Sequence, residues 1–132
     1  MKYMLDTNIC IYLRKHSPEN ITKKFKTMSA EDIVISSIVL TELAFGVYNS
    51  AHPEKNLDTL KKLVSPISVL AYDESAAYCC GEIRAHLKKN GTPIGQMDIL
   101  IAAHALSINA ILVTNNTKEF SRIKNLRLEN WT

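Results

Sequence analysis

Three carboxylates in this chain stand where core residues are expected. Asp6 interrupts "KYMLDTNICIYL", a stretch apolar on both sides of it; Glu42 lies in "SSIVLTELAFGV", beside Leu40, Leu43, Ala44 and Phe45; Asp98 sits in the first turn of "QMDILIAAHA". Each has an ordinary explanation alone: Asp6 as a helix cap, Glu42 as an exposed helix residue or half of an ion pair, Asp98 as a first-turn acid favoured by the helix dipole. As a set these explanations weaken, because a buried carboxylate stays ionised only against a cation or several hydrogen bonds. Acids gathered at one place repel, and either protonation or a bound cation relieves the crowding. Oxygen ligands without an obligatory Cys or His suit hard ions such as Mg²⁺ or Mn²⁺, which keep several waters and bind phosphates. Such an ion serves phosphodiester cleavage by activating water and neutralising charge at phosphorus, with no protein nucleophile.

The elements that must position these acids alternate between strand and helix. "KYMLDT" reads as a short buried strand, followed by the helix "ICIYLRK" with Thr7 or Asn8 as its cap. In "SPEN", Ser17 is expected to cap a second helix with Pro18 at its first position. "DIVIS" is strand-like, and Ser36 or Ser37 starts the helix that carries Glu42; Leu57, Leu60 and Leu63 mark one face of an amphipathic helix. "ISVLAY" is a third strand, and Asp73 caps a long helix ending at "KNG". The apolar helix around Asp98 leads to "AILVT", a helical turn "TKEFSRI" and a last strand in "LRLENW". Alternation of this kind predicts an α/β fold with a parallel sheet covered on both faces. In such sheets ligands bind beyond the carboxyl ends of the strands, where Asp6, Thr114 and Asn116 fall.

"MLDTN", "TELAFG", "MDILIAAHA" and "VTNNTKEF", in this order and spacing, resemble the PIN-domain ribonucleases, specifically the VapC-like toxins of bacterial type II toxin–antitoxin pairs. The resemblance covers the whole chain, 1–132, as one domain. It implies a three-layer sandwich with a central five-stranded parallel sheet and a site of acidic residues that binds Mg²⁺ or Mn²⁺. By match to the motifs, Asp6, Glu42 and Asp98 are the metal-binding catalytic acids. Glu119 takes the fourth position, with Asn116 the alternative occupant as orienter of a water. Asn8 and Thr114 fit roles holding the carboxylates in register. The implied activity is cleavage of structured RNA, in particular the anticodon region of initiator tRNA. The implied partners are a VapB-like antitoxin that covers the site and a second toxin chain, in a complex that binds operator DNA through the antitoxin.

Other features narrow the choice. The formal charge of +3, from 16 Lys and Arg against 13 Asp and Glu, carries no nucleic-acid claim by itself. Basic residues gather at Arg14 and Lys15, at Lys23, Lys24 and Lys26, and from Arg84 to Lys89; Arg84 is the foremost candidate for a phosphate contact. Cys10, Cys79 and Cys80 form no disulfide framework, and the first residues lack a leader pattern, so the cytoplasm is the expected address. No apolar run is long enough to span a bilayer. "GTPIG" before Asp98 is a turn-rich loop and not a P-loop. The four histidines share no metal-binding spacing, and His104 reads as a core histidine. A haloacid-dehalogenase-type phosphatase needs a second Asp where Asn8 stands, and a receiver domain needs paired acids at the first strand. The remaining rival is a catalytically weak PIN domain that serves as an RNA-binding or protein-binding module.

Overall fold

A computed structural model describes residues 1–132. Its strands are short: β1 (Tyr3–Leu5), β2 (Ile33–Ser36), β3 (Ser68–Leu70), β4 (Ile111–Val113) and β5 (Arg127–Glu129). They lie in the order β3-β2-β1-β4-β5, and every neighbouring pair is parallel. Strands buried on both faces need apolar residues without alternation. Met4, Leu5, Ile33, Val34, Ile35, Leu112 and Val113 meet that need, and all are buried.

The helices are α1 (Thr7–Lys15), α2 (Glu19–Thr27), α3 (Ser37–Tyr48), α4 (Pro53–Val64), α5 (Glu74–Asn90), α6 (Gln96–Ser107) and the short α7 (Thr117–Phe120). With right-handed crossovers, α1 to α4 cover one face of the sheet and α5 to α7 the other. Asp73 caps α5 by accepting from the Ala76 N–H at 3.0 Å, and Gly91, at φ 64°, closes it in the left-handed region that glycine tolerates best. Two expected caps need correction. For α1 the cap is Asp6, the reading given to it alone above, rather than Thr7 or Asn8, because the helix begins at Thr7, two residues before its apolar pattern starts at Ile9. Pro18, rather than Ser17, precedes α2: with Pro18 extended at ψ 154°, the first helical residue is Glu19.

The strand order reverses direction between β1 and β4. The chain steps from β1 outward to β2 and β3, then returns to the other side of β1, leaving a crevice at the carboxyl ends of the two central strands. Leu5 pairs with Val113, so the next residues, Asp6 and Thr114, leave the sheet side by side.

One buried polar contact joins the two faces. Ser36, at the end of β2, accepts from the Ile38 N–H at 3.1 Å and so caps α3; its Oγ lies 2.7 Å from Nδ1 of His104 in α6. Both side chains are buried. The assignment that leaves no buried donor orphaned has the Ser36 hydroxyl donating to a neutral His104. Burial also holds the His104 pKa below its usual value, with Asp73 a weaker influence in the opposite direction. The unfolded chain takes up that proton near pH 6.5 while the folded protein resists it, so this contribution to stability is complete above pH 6.5 and is lost as the pH falls. His104→Leu leaves the Ser36 hydroxyl without an acceptor. It is expected to cost about 1–3 kcal/mol in urea unfolding at pH 7.5 and to flatten the loss of stability on acidification below about pH 6.5.

Candidate active site

Asp6 is delivered by β1 and fixed where it lands. Its N–H donates to the Val113 carbonyl at 3.1 Å, which ties it to β4, and its Oδ1 accepts from the Ile9 N–H at 2.9 Å as the cap of α1. Thr114 is fully buried, accepts from the Asn116 N–H at 2.9 Å, and its hydroxyl lies near enough to the Asp6 carboxylate to favour the ionised form.

Three further acids border the same crevice. Glu42, half-buried on α3, accepts from the Thr7 hydroxyl at 2.6 Å, a bond that joins α3 to the first residue of α1. Asp98, half-buried, stands in the first turn of α6, where Gly95 approaches closely: a Cβ there would lie 3.7 Å from its Oδ2. Glu119 on α7 accepts from the Asn116 side-chain amide at 3.1 Å. Asp6, Glu42 and Glu119 thus each have a fixed donor, and Asp98 has none.

The electrostatics tie the four into one group. Burial is the main cause that raises the Asp6 pKa above its ordinary value; the hydrogen bonds from Thr114 and Ile9 oppose it, and the charges of Asp98 and Glu42 add to it. The Asp98 pKa is raised by burial, then by the charges of Glu119 and Glu42. No lysine or arginine relieves them: the ion pairs of the protein, Lys23 with Glu19 and Lys62 with Asp58, are exposed and lie on α2 and α4. The expectation of a tight convergence is corrected in one respect, since no three acidic, histidine or cysteine side chains close around a single point as a complete ligand set. A hard cation does not demand such closure, because Mg²⁺ is commonly held by one or two carboxylates and keeps its remaining waters. The all-oxygen donor set, uncompensated and partly desolvated, fits a Mg²⁺-type ion.

Thr7 was not singled out by its sequence, yet it is the residue that holds Glu42. Its position directly after Asp6, at the start of a helix, was the available signal. Asn8, expected to hold a carboxylate, is exposed and makes no side-chain hydrogen bond to any of the four acids. Arg84 is exposed on α5 and lines a cleft of about 640 Å³ together with Lys88, Gln96 and Ile99; no carboxylate lines that cleft. Arg14, by contrast, shares a smaller depression with Glu42. Glu42 also forms one wall of an open depression of about 460 Å³ with Thr7, Thr41, Phe45 and Met97.

Known proteins place this arrangement. The family model described as "PIN domain" matches residues 3–126. The chain is 46% identical over 132 residues to the tRNA(fMet)-specific endonuclease VapC of Shigella flexneri, covering 100% of this chain and 99% of that protein. It is 44% identical over 132 residues to Ribonuclease VapC2 of Rickettsia felis, covering 99% and 98%. Among solved structures, VapBC2 from Rickettsia felis bound to a promoter DNA fragment superimposes with a TM-score of 0.94 at 43% identity over 100% of both chains. DNA-bound VapBC from Salmonella typhimurium does so with 0.94 at 45%, over 100% and 99%. The chain belongs to the PIN-domain family, among its VapC-like ribonucleases.

Proposed function

We propose that the protein is the toxin of a type II toxin–antitoxin pair, an endoribonuclease that cleaves tRNA, with initiator tRNA as target, and thereby stops translation in the cytoplasm. Residues 1–132 act as one catalytic domain. The observation that carries this reading is the group of four uncompensated carboxylates at the β1–β4 crevice, in a chain whose VapC relatives are named as RNA endonucleases. The cognate antitoxin, of VapB type, covers the site, and the toxin pairs with a second copy in a complex that reaches operator DNA through the antitoxin. The DNA-bound VapBC structures support that assembly. No helix is long and apolar enough to cross a membrane.

Asp6, Glu42, Asp98 and Glu119 would hold Mg²⁺ or Mn²⁺. When bound, that ion supplies water activation and charge neutralisation at the scissile phosphate. The chain's own residues set the geometry. Thr114 and the Ile9 N–H lock Asp6, Thr7 locks Glu42, and Asn116 locks Glu119. Asp98, free of donors, keeps its full acceptor capacity for the ion. Arg14, which shares a depression with Glu42, and Arg84, in the cleft between α5 and α6, would hold phosphates of an RNA backbone.

RNA cleavage by the purified toxin is expected with Mg²⁺ or Mn²⁺ and is expected to stop in EDTA. Asp98→Asn should fold and lose activity by more than about 100-fold, beyond the usual effect of an outer hydrogen-bond partner. Full activity in EDTA or in that variant refutes the metal mechanism. Thr7→Val is expected to lower activity by about 10- to 100-fold, while Thr7→Ser, which keeps the hydroxyl, retains most of it.

Stability gives an independent readout. The Asp98 carboxyl is harder to ionise in the folded protein than in the unfolded chain, so the folded state binds its proton more tightly and loses stability as the pH rises through the raised pKa. Metal-free Asp98→Asn should therefore melt higher than the parent at pH 7, with the gap closing below about pH 4. A lower Tm at pH 7 contradicts the electrostatic assignment.

A further inference from the structure

Beside the acids stands an apolar wall that the cleavage chemistry does not use. Phe45 is 69% exposed, and Met97, adjacent to Asp98, is 36% exposed. Both line the depression of about 460 Å³ whose remaining walls are Glu42, Thr7 and Thr41. On α3, Glu42 and Phe45 are three residues apart and so share a face, and Tyr48, 65% exposed, continues the same row. Three helical residues advance about 4.5 Å, comparable with the roughly 3.4 Å between stacked nucleotides of one strand. A single exposed apolar residue needs no explanation. An aromatic ring and a thioether that share one hollow with a hydrogen-bonded carboxylate form a composite surface, polar at one end and apolar at the other. That matches the two halves of a nucleotide.

We propose that Phe45, backed by Met97, is a stacking platform for the unpaired RNA base next to the scissile phosphate. It is a substrate-positioning residue that selects single-stranded loops. The inference rests on the RNA-cleavage reading above and goes on to assign a base subsite to α3. A phosphate held at the carboxylates leaves its neighbouring base within reach of the Phe45 ring. A base locked in a duplex cannot offer its face to that ring, so the platform excludes helical RNA and admits splayed loops. Because every base has a π-face, the contact orients the strand without reading its sequence.

The test compares the parent, Phe45→Leu and Phe45→Trp on a hairpin RNA carrying the parent's cleavage site in its loop. Loss of one base–aromatic stack predicts a KM about tenfold higher for Phe45→Leu with kcat within about twofold, and near-parent values for Phe45→Trp. In an Asp98→Asn background, 2-aminopurine placed beside the cleavage site should be quenched on binding, and Phe45→Leu should abolish the quench. Phe45 is exposed, so Phe45→Leu should keep the parent Tm. A parent that cleaves no RNA overturns the RNA reading and this proposal together. A parent that cleaves, with Phe45→Leu unchanged in KM and quenching, overturns the base subsite alone. RNA binding left intact while Phe45→Leu weakens antitoxin binding or dissociates a toxin dimer assigns the patch to a protein contact and likewise overturns it.

Discussion

The constraint on which this molecule depends is the repulsion among Asp6, Glu42, Asp98 and Glu119. Burial first, and then one another's charge, raise the Asp6 and Asp98 pKa values, and none of the four is ion-paired with a basic side chain. A fold selected for stability alone would place a lysine there or an apolar residue. A bound cation of matching charge would relieve this crowding, which is the basis for proposing a divalent ion of hard character here. Active sites commonly sacrifice stability in this way.

The architecture concentrates rigidity around that conflict. The four acids come from four different elements: the end of β1 and the helices α3, α6 and α7. Each connection is braced. The pairing of β1 with β4 sets Asp6 beside Thr114, the Ser36–His104 contact ties the start of α3 to α6, and Thr7 links α1 to Glu42. The 29-residue core cluster, which spans both faces of the sheet, keeps these braces from relaxing away from one another. Function needs negative charges that would separate if they could, and the scaffold denies them the freedom to do so.

Much of this was legible in the residue order. Short β-branched or apolar runs alternating with helix-period segments specify a parallel sheet, and the acids are conspicuous because they break apolar stretches. Asp6, Asp98 and Glu42 were visible for that reason, as was His104 as a core residue. Of their partners, Thr114 and Asn116 were visible from their place after β4, but Thr7 was not. Thr7 and Asn8 are adjacent polar residues with equal claims from the sequence, and only the helical turn that follows Asp6 decides that Thr7 faces Glu42 while Asn8 faces solvent. The same limit applies to Arg84, whose charge is evident but whose distance from the acids depends on how α5 lies beside α6. The Thr7 and Asn8 alternatives for the cap of α1 fell one and two residues late because Asp6 serves two ends at once, closing a strand and opening a helix.

The most direct test of the electrostatic claim is calorimetric titration of the chelator-stripped protein with Mn²⁺, repeated in buffers of different ionisation enthalpy. If Asp6 and Asp98 are held above their ordinary pKa by burial and by neighbouring charge, Mn²⁺ binds and displaces protons, and the number released grows as the pH is lowered from 7 toward 5. Absence of binding, or binding with no release of protons across that range, would contradict it.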